Sequence, residues 1–377
     1  MRNRPWIRPL VVAVCVLSLA ACGGSPTSSS SSGDKGAVSK QEAAAKKVYD
    51  EINGLTGEER TAKLVELAEK EGKLSIYTSN TDIEDMISAF EDAYDIDVSV
   101  YRGNSESVLQ RVLQEQKAKF FGNDILETNA LELGVSSKEG FLYPYESELR
   151  DKAREEAKGD KWTGTRFNVF VVGWNTKLVK KGEEPKSFEE LADPKWKGKI
   201  SMELGDVDWF TAMYDYYLAH GKSKAEVKEL FTKVASNSKV AKGHTVQGEL
   251  LSAGQFGVTV SSYSHTIDKA AREGAPVTWR PEGGEPVQPL VVRPNGIAMM
   301  KNAKNPAAAM LFVDFELTEG QKIFENDFRI GSVPTGKDPL EGLEVITVPE
   351  KKLLDDPTTW DELYADIVQA GQQLGDG

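Results

Sequence analysis

Alternation of strand-like and helix-like segments constrains the fold of this chain more than any other feature. Residues 73–78 (KLSIYT) and 96–100 alternate apolar and polar side chains, and residues 124–128 predict a third strand. Apolar residues at helical spacing follow the first two of these segments. The resulting β-α-β-α-β order predicts an α/β lobe with a largely parallel sheet, which binds ligands at the carboxyl ends of its strands.

Short polar signals mark the ends of these elements. The runs Thr56–Glu59 and Thr81–Glu84 each have the capping-box pattern of a helix start, and Gly72 is a helix stop. Because ligands favour strand ends, three loops are the expected binding positions. They are residues 78–81, 103–107 and 127–130.

A second α/β series follows two long apolar segments that predict crossing strands. Residues 167–174 (FNVFVVGW) are a buried strand by composition, and residues 289–301 are the expected return strand. A body of about 320 residues exceeds what one hydrophobic core usually organises, which favours two lobes. We expect lobe 1 from residues 46–168 and 297–335, lobe 2 from residues 169–296, and a C-terminal helical segment, residues 336–377, that packs on lobe 2.

The N-terminus predicts export. An apolar run of 12 residues, Leu10 to Ala21, follows three arginines and is too short to span a bilayer, so residues 1–21 read as a signal peptide. The run Leu19-Ala20-Ala21-Cys22 resembles the lipobox of bacterial lipoproteins, which implies a lipid anchor on Cys22 at the extracytoplasmic face of the cell membrane. Residues 22–45, rich in serine and glycine, are the expected flexible tether. The alternative is an ordinary secretory signal in which Cys22 is incidental.

Charge and cysteine content narrow the possible functions. The chain has a net charge of −13, so a nucleic-acid partner is not expected. Its other cysteine, Cys15, lies in the signal segment, and the exported body therefore has no disulfide and no cysteine-based metal cluster.

Several stretches together resemble the periplasmic solute-binding proteins of ATP-driven importers, specifically the ferric-iron-type family. The matching residues are 73–78, 193–200 (DPKWKGKI), 294–298 (PNGIA) and 305–321. The resemblance implies a two-lobed periplasmic-binding-protein-like fold of type 2 with two crossing hinge strands. It also implies a monomer without cofactor or catalytic activity, which closes over a small-molecule or metal solute and delivers it to a membrane permease driven by a separate ATPase.

The identity of the solute stays open. Ferric-iron binders of this family use an adjacent tyrosine pair with a histidine and a glutamate. Aligned by eye, the pair falls on Tyr263 and Ser264, the histidine on Thr81 and the glutamate on Asn129, so only Tyr263 is retained. His265 and Glu127 are nearby substitutes. Tyr263 is therefore a metal ligand only if the solute is ferric iron, and the alternative is a small organic ligand: an amine, a phosphonate or a sugar phosphate.

A loop at residues 204–209 carries two carboxylates where iron-type relatives hold a small anion. Asp206 and Asp208 would repel a phosphate and suit a cation or a hydroxyl-rich ligand, with Trp209 as a stacking surface. The alternatives are that Asp208 caps the helix that follows and that the Trp209 indole lies in the core.

The remaining candidates are polar residues near strand ends. Helix N-termini there favour a partially negative group, and Arg166 either pairs with a ligand carboxylate or phosphate or neutralises neighbouring acids. His220 and His244 are expected at the surface or at helix ends. The predicted ligand-binding set is Ser79, Asn80, Ser105, Glu127, Asn129, Arg166, Asp206, Asp208, Trp209, Tyr263 and His265.

Two rival functions have little support in the sequence. An exported hydrolase would be expected to show a Gly-x-Ser-x-Gly or His-Glu-x-x-His motif, and neither is present. Asp206 and Asp208 are paired carboxylates, but nothing assigns them separate acid and base roles. A surface adhesion protein would be expected to show repeats, and none of fixed short period is found.

Overall fold

The structure, a computed structural model, describes residues 39–375. The expected signal peptide, the lipobox at Cys22 and most of the expected tether lie outside the described residues. The first described helix already begins at Lys40, so the prediction of a tether reaching residue 45 is wrong at its end. Ser39 starts this helix because its side chain accepts a hydrogen bond from the Glu42 amide.

Strands and helices alternate along most of the described chain. The strands are β1 Lys73–Thr78, β2 Asp97–Arg102, β3 Ile125–Asn129, β4 Leu142–Tyr143, β5 Thr163–Asn175, β6 Ile200–Glu203, β7 Ser238–Ala241, β8 Val258–Tyr263, β9 Val277–Thr278, β10 Leu290–Met300, β11 Ile330–Gly331 and β12 Val345–Thr347. The helices are α1 Lys40–Asn53, α2 Gly57–Glu71, α3 Glu84–Ala93, α4 Ser105–Lys117, α5 Ala130–Lys138, α6 Glu148–Asp151, α7 Val207–Ala219, α8 Lys224–Asn237, α9 His244–Ser252, α10 Ser264–Arg272, α11 Pro306–Glu316, α12 Glu319–Asn326, α13 Glu350–Asp355 and α14 Pro357–Gly375.

The strands of the described chain share one sheet whose order explains the two-lobed fold. Along the sheet the order is β2-β1-β3-β10-β5-β8-β6-β7. Strands β2, β1 and β3 are parallel to one another, and so are β8, β6 and β7. The antiparallel pair β5 and β10 joins the two sets. This arrangement confirms the predicted α/β fold with two lobes and two crossing strands.

The two crossing strands are long because they belong to both lobes. Every residue of β5 and of β10 is buried, as the unbroken apolar segments predict. One hydrophobic core surrounds β1, β3 and the Ile297–Met300 end of β10, and a second surrounds β6, β8 and Phe170 of β5. We call the halves around these cores lobe 1 and lobe 2. None of the helices in the described part of the chain is long and apolar enough for a membrane span.

Of the two predicted helix starts, the first is correct in position and the second is not. Helix α2 begins directly after Thr56, although the Thr56 side chain makes no capping hydrogen bond, and α3 begins at Glu84 rather than after Thr81. In the second case Asp82 is held by two cations instead of by helix amides. The left-handed Gly72 stop is present as predicted, and Ser223 forms a capping box with Glu226 at the start of α8.

The C-terminal segment is only partly helical. Strand β12 pairs with β10, and helix α14 packs on α8 of lobe 2. The close approach of these helices depends on Gly371, where an added Cβ would lie 2.4 Å from the Ala235 Cβ and 2.8 Å from the Thr232 carbonyl oxygen. Helix α13 instead contacts α5 of lobe 1, so the segment touches both lobes.

Substitution Gly371→Ala is expected to lower the free energy of unfolding by about 1–3 kcal/mol, because the methyl group overpacks the contact between α14 and α8. Chemical denaturation measures the change. Gly336→Ala is the matched control, because a Cβ there meets no atom within 4 Å. Equal stability of the two variants would contradict the packing of α14 described above.

Candidate functional site

A cavity of ≈340 Å³ lies between the lobes at the carboxyl ends of their parallel strands, and we call it the interlobe cavity. Both lobes, the crossing strands and the segment before β11 contribute to it, as binding at strand ends predicts. Its lining is Ser79, Asn80, Thr81, Arg102, Gly103, Asn104, Ser105, Asn129, Arg166, Asn168, Gly243, His244, Thr245, Val246, Tyr263, His265, Asn295 and Arg329. Three larger cavities in the described part of the chain, of ≈790, ≈650 and ≈350 Å³, are each confined to one lobe and collect no comparable set of strand-end residues.

The structure brings most of the predicted residues together. Seven members of the predicted ligand set line the interlobe cavity: Ser79, Asn80, Ser105, Asn129, Arg166, Tyr263 and His265. The other four, Glu127, Asp206, Asp208 and Trp209, do not line it. Glu127 and Asp208 are instead buried in ion pairs, Asp206 lies against His244, and Trp209 is a core residue.

Helix N-termini supply backbone donors at the cavity. The first residues of α4, α9 and α10 line it or lie beside residues that do, and each of these helices has at least nine residues. The Asn104 side chain accepts a hydrogen bond from the Ser107 amide, and this fixes the start of α4. Unpaired amide groups at such termini favour a negatively charged ligand.

Glu127 is buried behind the cavity in an ion pair. Arg166 Nη1 donates to Glu127 Oε1 at 2.5 Å, and Thr78 Oγ1 donates to Glu127 Oε2 at 2.6 Å. Both charged side chains are almost completely buried, so the pair is held without solvent screening. Glu127 is therefore occupied by protein partners, which corrects its prediction as a cavity residue.

Arg329 is a cavity residue that the sequence analysis missed. Its Nη2 donates to Asp82 Oδ2 at 2.6 Å, and Lys269 Nζ of α10 donates to Asp82 Oδ1 at 2.9 Å. Although burial opposes the effect, these two cations hold the pKa of the Asp82 carboxyl below its usual range. Because one carboxylate serves two cations, excess positive charge remains beside the cavity. No sequence pattern marks Arg329, which precedes a strand of only two residues.

Three stacked rings form the lobe 2 wall of the cavity. The Tyr263 ring lies 4.0 Å from the His244 ring and 5.4 Å from the His265 ring, with interplanar angles of 10° and 19°. Burial, followed by the nearby charge of Arg329, lowers the pKa of His265 well below its usual range, so this imidazole is neutral. His220 is exposed at the end of α7 and His244 begins α9, as the expected surface or helix-end positions require, but His244 also lines the cavity.

The Tyr263 hydroxyl is held by the protein. It accepts a hydrogen bond from Arg293 Nη2 at 2.6 Å, and burial raises the pKa of the phenol despite the opposing charge of this arginine. The group is therefore protonated and engaged near neutral pH.

The acidic loop before α7 turns away from the cavity. Asp206 is buried, with its Oδ1 2.9 Å from His244 Nε2, and Asp208 forms an ion pair with Arg293. Trp209 is a core residue, with its ring 5.5 Å from that of Phe188. Asp208 is not the N-cap of α7 either, because Asp206 occupies that position. Asp206, Asp208 and Trp209 therefore do not line the interlobe cavity, contrary to their prediction as ligand-binding residues.

The polar groups that line the cavity suit an anion better than a bare cation. Its charged lining comprises Arg102, Arg166 and Arg329, and no carboxylate is found among the described lining residues. In the same described region, no group of three or more histidine, cysteine, aspartate or glutamate residues is arranged to hold a metal ion. His265 and Glu127 are the predicted substitutes for iron ligands. His265 lines the cavity, whereas Glu127 does not and instead pairs with Arg166.

Comparison with known proteins agrees with this architecture. Residues 134–364 match the family described as bacterial extracellular solute-binding protein. Iron uptake protein A1 of Synechocystis sp. is 22% identical over 302 residues, which are 74% of this chain and 82% of that protein. An uncharacterised protein of Haemophilus influenzae is 29% identical over 279 residues, 68% of this chain and 76% of its own.

Solved structures show the same fold. Periplasmic binding protein AfuA from Actinobacillus pleuropneumoniae, with fructose-6-phosphate bound, has a TM-score of 0.66 and 23% identity, and the match covers 79% of this chain and 99% of AfuA. Iron-bound HitA from Pseudomonas aeruginosa has a TM-score of 0.62 and 19% identity, with 80% of this chain and 99% of HitA covered.

A pH-dependent stability is expected from Glu350, which begins α13 near Arg293 and Asp208. Burial raises the pKa of its carboxyl from 4.5 to about 7, with Arg293 opposing and Asp208 reinforcing the effect. The folded state therefore binds more protons than the unfolded state between these values, and this group's contribution to stability falls as pH rises from 4.5 to about 7. In Glu350→Gln the loss of stability across this range should be smaller than in the parent protein.

Denaturant unfolding at a series of pH values measures this difference. Glu341→Gln, a substitution at an exposed carboxylate, is the control. Parallel stability-against-pH curves for Glu350→Gln and the parent protein would contradict the assigned environment of Glu350.

Proposed function

The chain belongs to the bacterial extracellular solute-binding protein family and is the solute receptor of an ABC importer, and from this premise we propose that its solute is a small organic anion. One observation carries the proposal: the charged side chains that line the interlobe cavity are all arginines. Charge-assisted hydrogen bonds from arginine to phosphate or carboxylate are strong and directional. The N-termini of α4, α9 and α10 add backbone N–H donors, whose partial positive charge also favours an anion.

The amide groups of the cavity favour hydroxyl groups on the same solute. Five asparagines line it: Asn80, Asn104, Asn129, Asn168 and Asn295. Asn80 Nδ2, Asn168 Oδ1 and Asn295 Oδ1 are buried without a hydrogen-bond partner in the protein, so both donors and acceptors are free there. A hydroxyl group both donates and accepts. A phosphorylated polyol such as a sugar phosphate therefore meets both features, in line with the fructose-6-phosphate bound in AfuA.

Ferric iron carried as an anionic chelate is a second candidate. Similarity to iron uptake protein A1 and to iron-bound HitA favours iron. Direct coordination by Tyr263 would require its proton to leave and the hydrogen bond from Arg293 to be given up. A chelator that supplies its own oxygen ligands removes both requirements, and its negative charge suits Arg166 and Arg329.

The remaining features of the proposal concern the cycle of the receptor. Members of the family bind a solute and deliver it to a membrane permease. We propose that this chain does so as a monomer without catalytic activity, held at the extracytoplasmic face by a lipid on Cys22. Hinge motion at β5 and β10 would close lobe 1, residues 46–168 and 297–335, onto lobe 2, residues 169–296.

Substitution Arg329→Gln is expected to weaken binding of a sugar phosphate about 10–100-fold, because a charge-assisted hydrogen bond contributes about 1.5–3 kcal/mol. Isothermal titration calorimetry with fructose 6-phosphate, glucose 6-phosphate, ferric citrate and putrescine measures affinity and solute class together. Arg111→Gln is the matched control: this arginine pairs with Glu115 on α4, and it does not line the cavity.

Binding of one or more of the anions, with none of putrescine, supports the proposal. Tight binding of putrescine, or equal affinity of Arg329→Gln and the parent protein for the bound anion, would contradict it.

A further inference from the structure

Arg293 is a buried cation on the crossing strand β10, behind the lobe 2 wall of the interlobe cavity, and both of its terminal nitrogens are engaged. It is 7% exposed and does not line the cavity. Its Nη1 donates to Asp208 of α7, and its Nη2 donates to the Tyr263 hydroxyl at the end of β8. The guanidinium also lies 5.2 Å from the ring centre of Phe170 on β5. One side chain thus connects both crossing strands to lobe 2.

Two further carboxyl groups surround this cation. The charge of Arg293 opposes the rise in pKa that burial causes at Glu132 of α5 and at Glu350 of α13. Arg293 therefore lies where a helix of lobe 1, a helix of lobe 2, the C-terminal segment and a crossing strand meet. A buried arginine in such a position is costly to move, because its partners would be left without a counter-charge.

The bond to Tyr263 has a direct consequence for the cavity. Tyr263 is the central ring of the stack, and the rings of His244 and His265 on either side of it line the cavity. Fixing the hydroxyl at one end of Tyr263 restricts rotation about χ1 and therefore the position of the ring. The two histidines that pack against the ring are restricted with it.

We propose that Arg293 is a positioning residue for solute binding, which holds Tyr263 and, through it, His244 and His265 in the wall of the interlobe cavity. Arginine suits this role better than lysine because its planar fork serves Asp208 and Tyr263 at the same time. A single ammonium group has no such fixed pair of directions. Strand β10, which carries Arg293, links the two lobes. The hydrogen bond from Arg293 to Tyr263 therefore also couples the position of the lobe 2 wall to the crossing strands at the hinge.

Lobe 1 contains a matched control for a purely structural arginine. Arg60 donates two hydrogen bonds to Asp314, and the Tyr145 hydroxyl donates to the same carboxylate. This cluster has the same three residue types as Arg293, Asp208 and Tyr263 and is similarly buried, but none of its members lines the interlobe cavity. Arg60→Lys should lower stability without moving the cavity wall.

The chain's three histidines make the wall directly observable. We would label the histidine rings with ¹³C in the ligand-free protein, assign them by single substitution, and follow their carbon-bound protons by NMR through a pH titration. A ring 4.0 Å from Tyr263 and nearly parallel to it experiences a strong ring-current shift. In Arg293→Gln and Arg293→Lys we expect the neutral-form signal of His244, and that of His265, to lose this shift.

His220 serves as the internal reference, because it packs at a tilt against Tyr216 at the exposed end of α7, away from the interlobe cavity. Its signal should stay constant in every variant, and in Arg60→Lys all three signals should match the parent protein. Unchanged neutral-form shifts of His244 and His265 in Arg293→Lys would overturn the proposal. Arg293→Lys decides the matter if Arg293→Gln does not fold, because it retains the positive charge beside Asp208.

A binding measurement extends the test and rests on the proposed function. With fructose 6-phosphate as the probe, Arg293→Lys should weaken binding about tenfold, which corresponds to 1.4 kcal/mol. Arg60→Lys should bind as the parent protein does. If the parent protein does not bind the probe, the sugar-phosphate proposal fails while the NMR result still decides the role of Arg293. Moved histidine signals with unchanged affinity for a probe that the parent binds would overturn the role in binding.

Discussion

Burying arginine in the crossing strands is the constraint on which the rest of this structure depends. Arg166 on β5 and Arg293 on β10 are both removed from water. A buried guanidinium needs a carboxylate partner, because the loss of its hydration is otherwise uncompensated. Glu127 supplies the partner for Arg166, and Asp208 supplies it for Arg293. These two pairs hold Glu127 and Asp208 out of contact with the interlobe cavity.

The character of the cavity follows from this pairing. Its lining retains arginines, amides, hydroxyls and helix N-termini, while the carboxylates of Glu127 and Asp208 are engaged inside the protein. Asp82 is likewise shared between Arg329 and Lys269. The same pairing explains why a tyrosine at the position typical of an iron ligand is not free here, since Arg293 donates to its hydroxyl. A scaffold similar to ferric-binding proteins thus presents a cationic site.

The sequence predicts the features that depend on hydrophobic periodicity and on the positions of strand ends. It does not predict the placement of a side chain whose partner is distant in the chain. The β-α alternation and the unbroken apolar runs identify the sheet and both crossing strands. The strand-end rule finds Ser79, Asn129 and Tyr263. Glu127 and Asp208 were misplaced because their partners, Arg166 and Arg293, lie 39 and 85 residues away. Arg329 and His244 were missed because only the folded chain brings them to the cavity.

The most direct test of an anionic solute is native mass spectrometry of the full-length protein, purified without refolding, with metal analysis of the same sample. We expect a co-purified organic anion, with iron present only together with an organic chelator. A protein that carries one ferric ion and no organic molecule would contradict it.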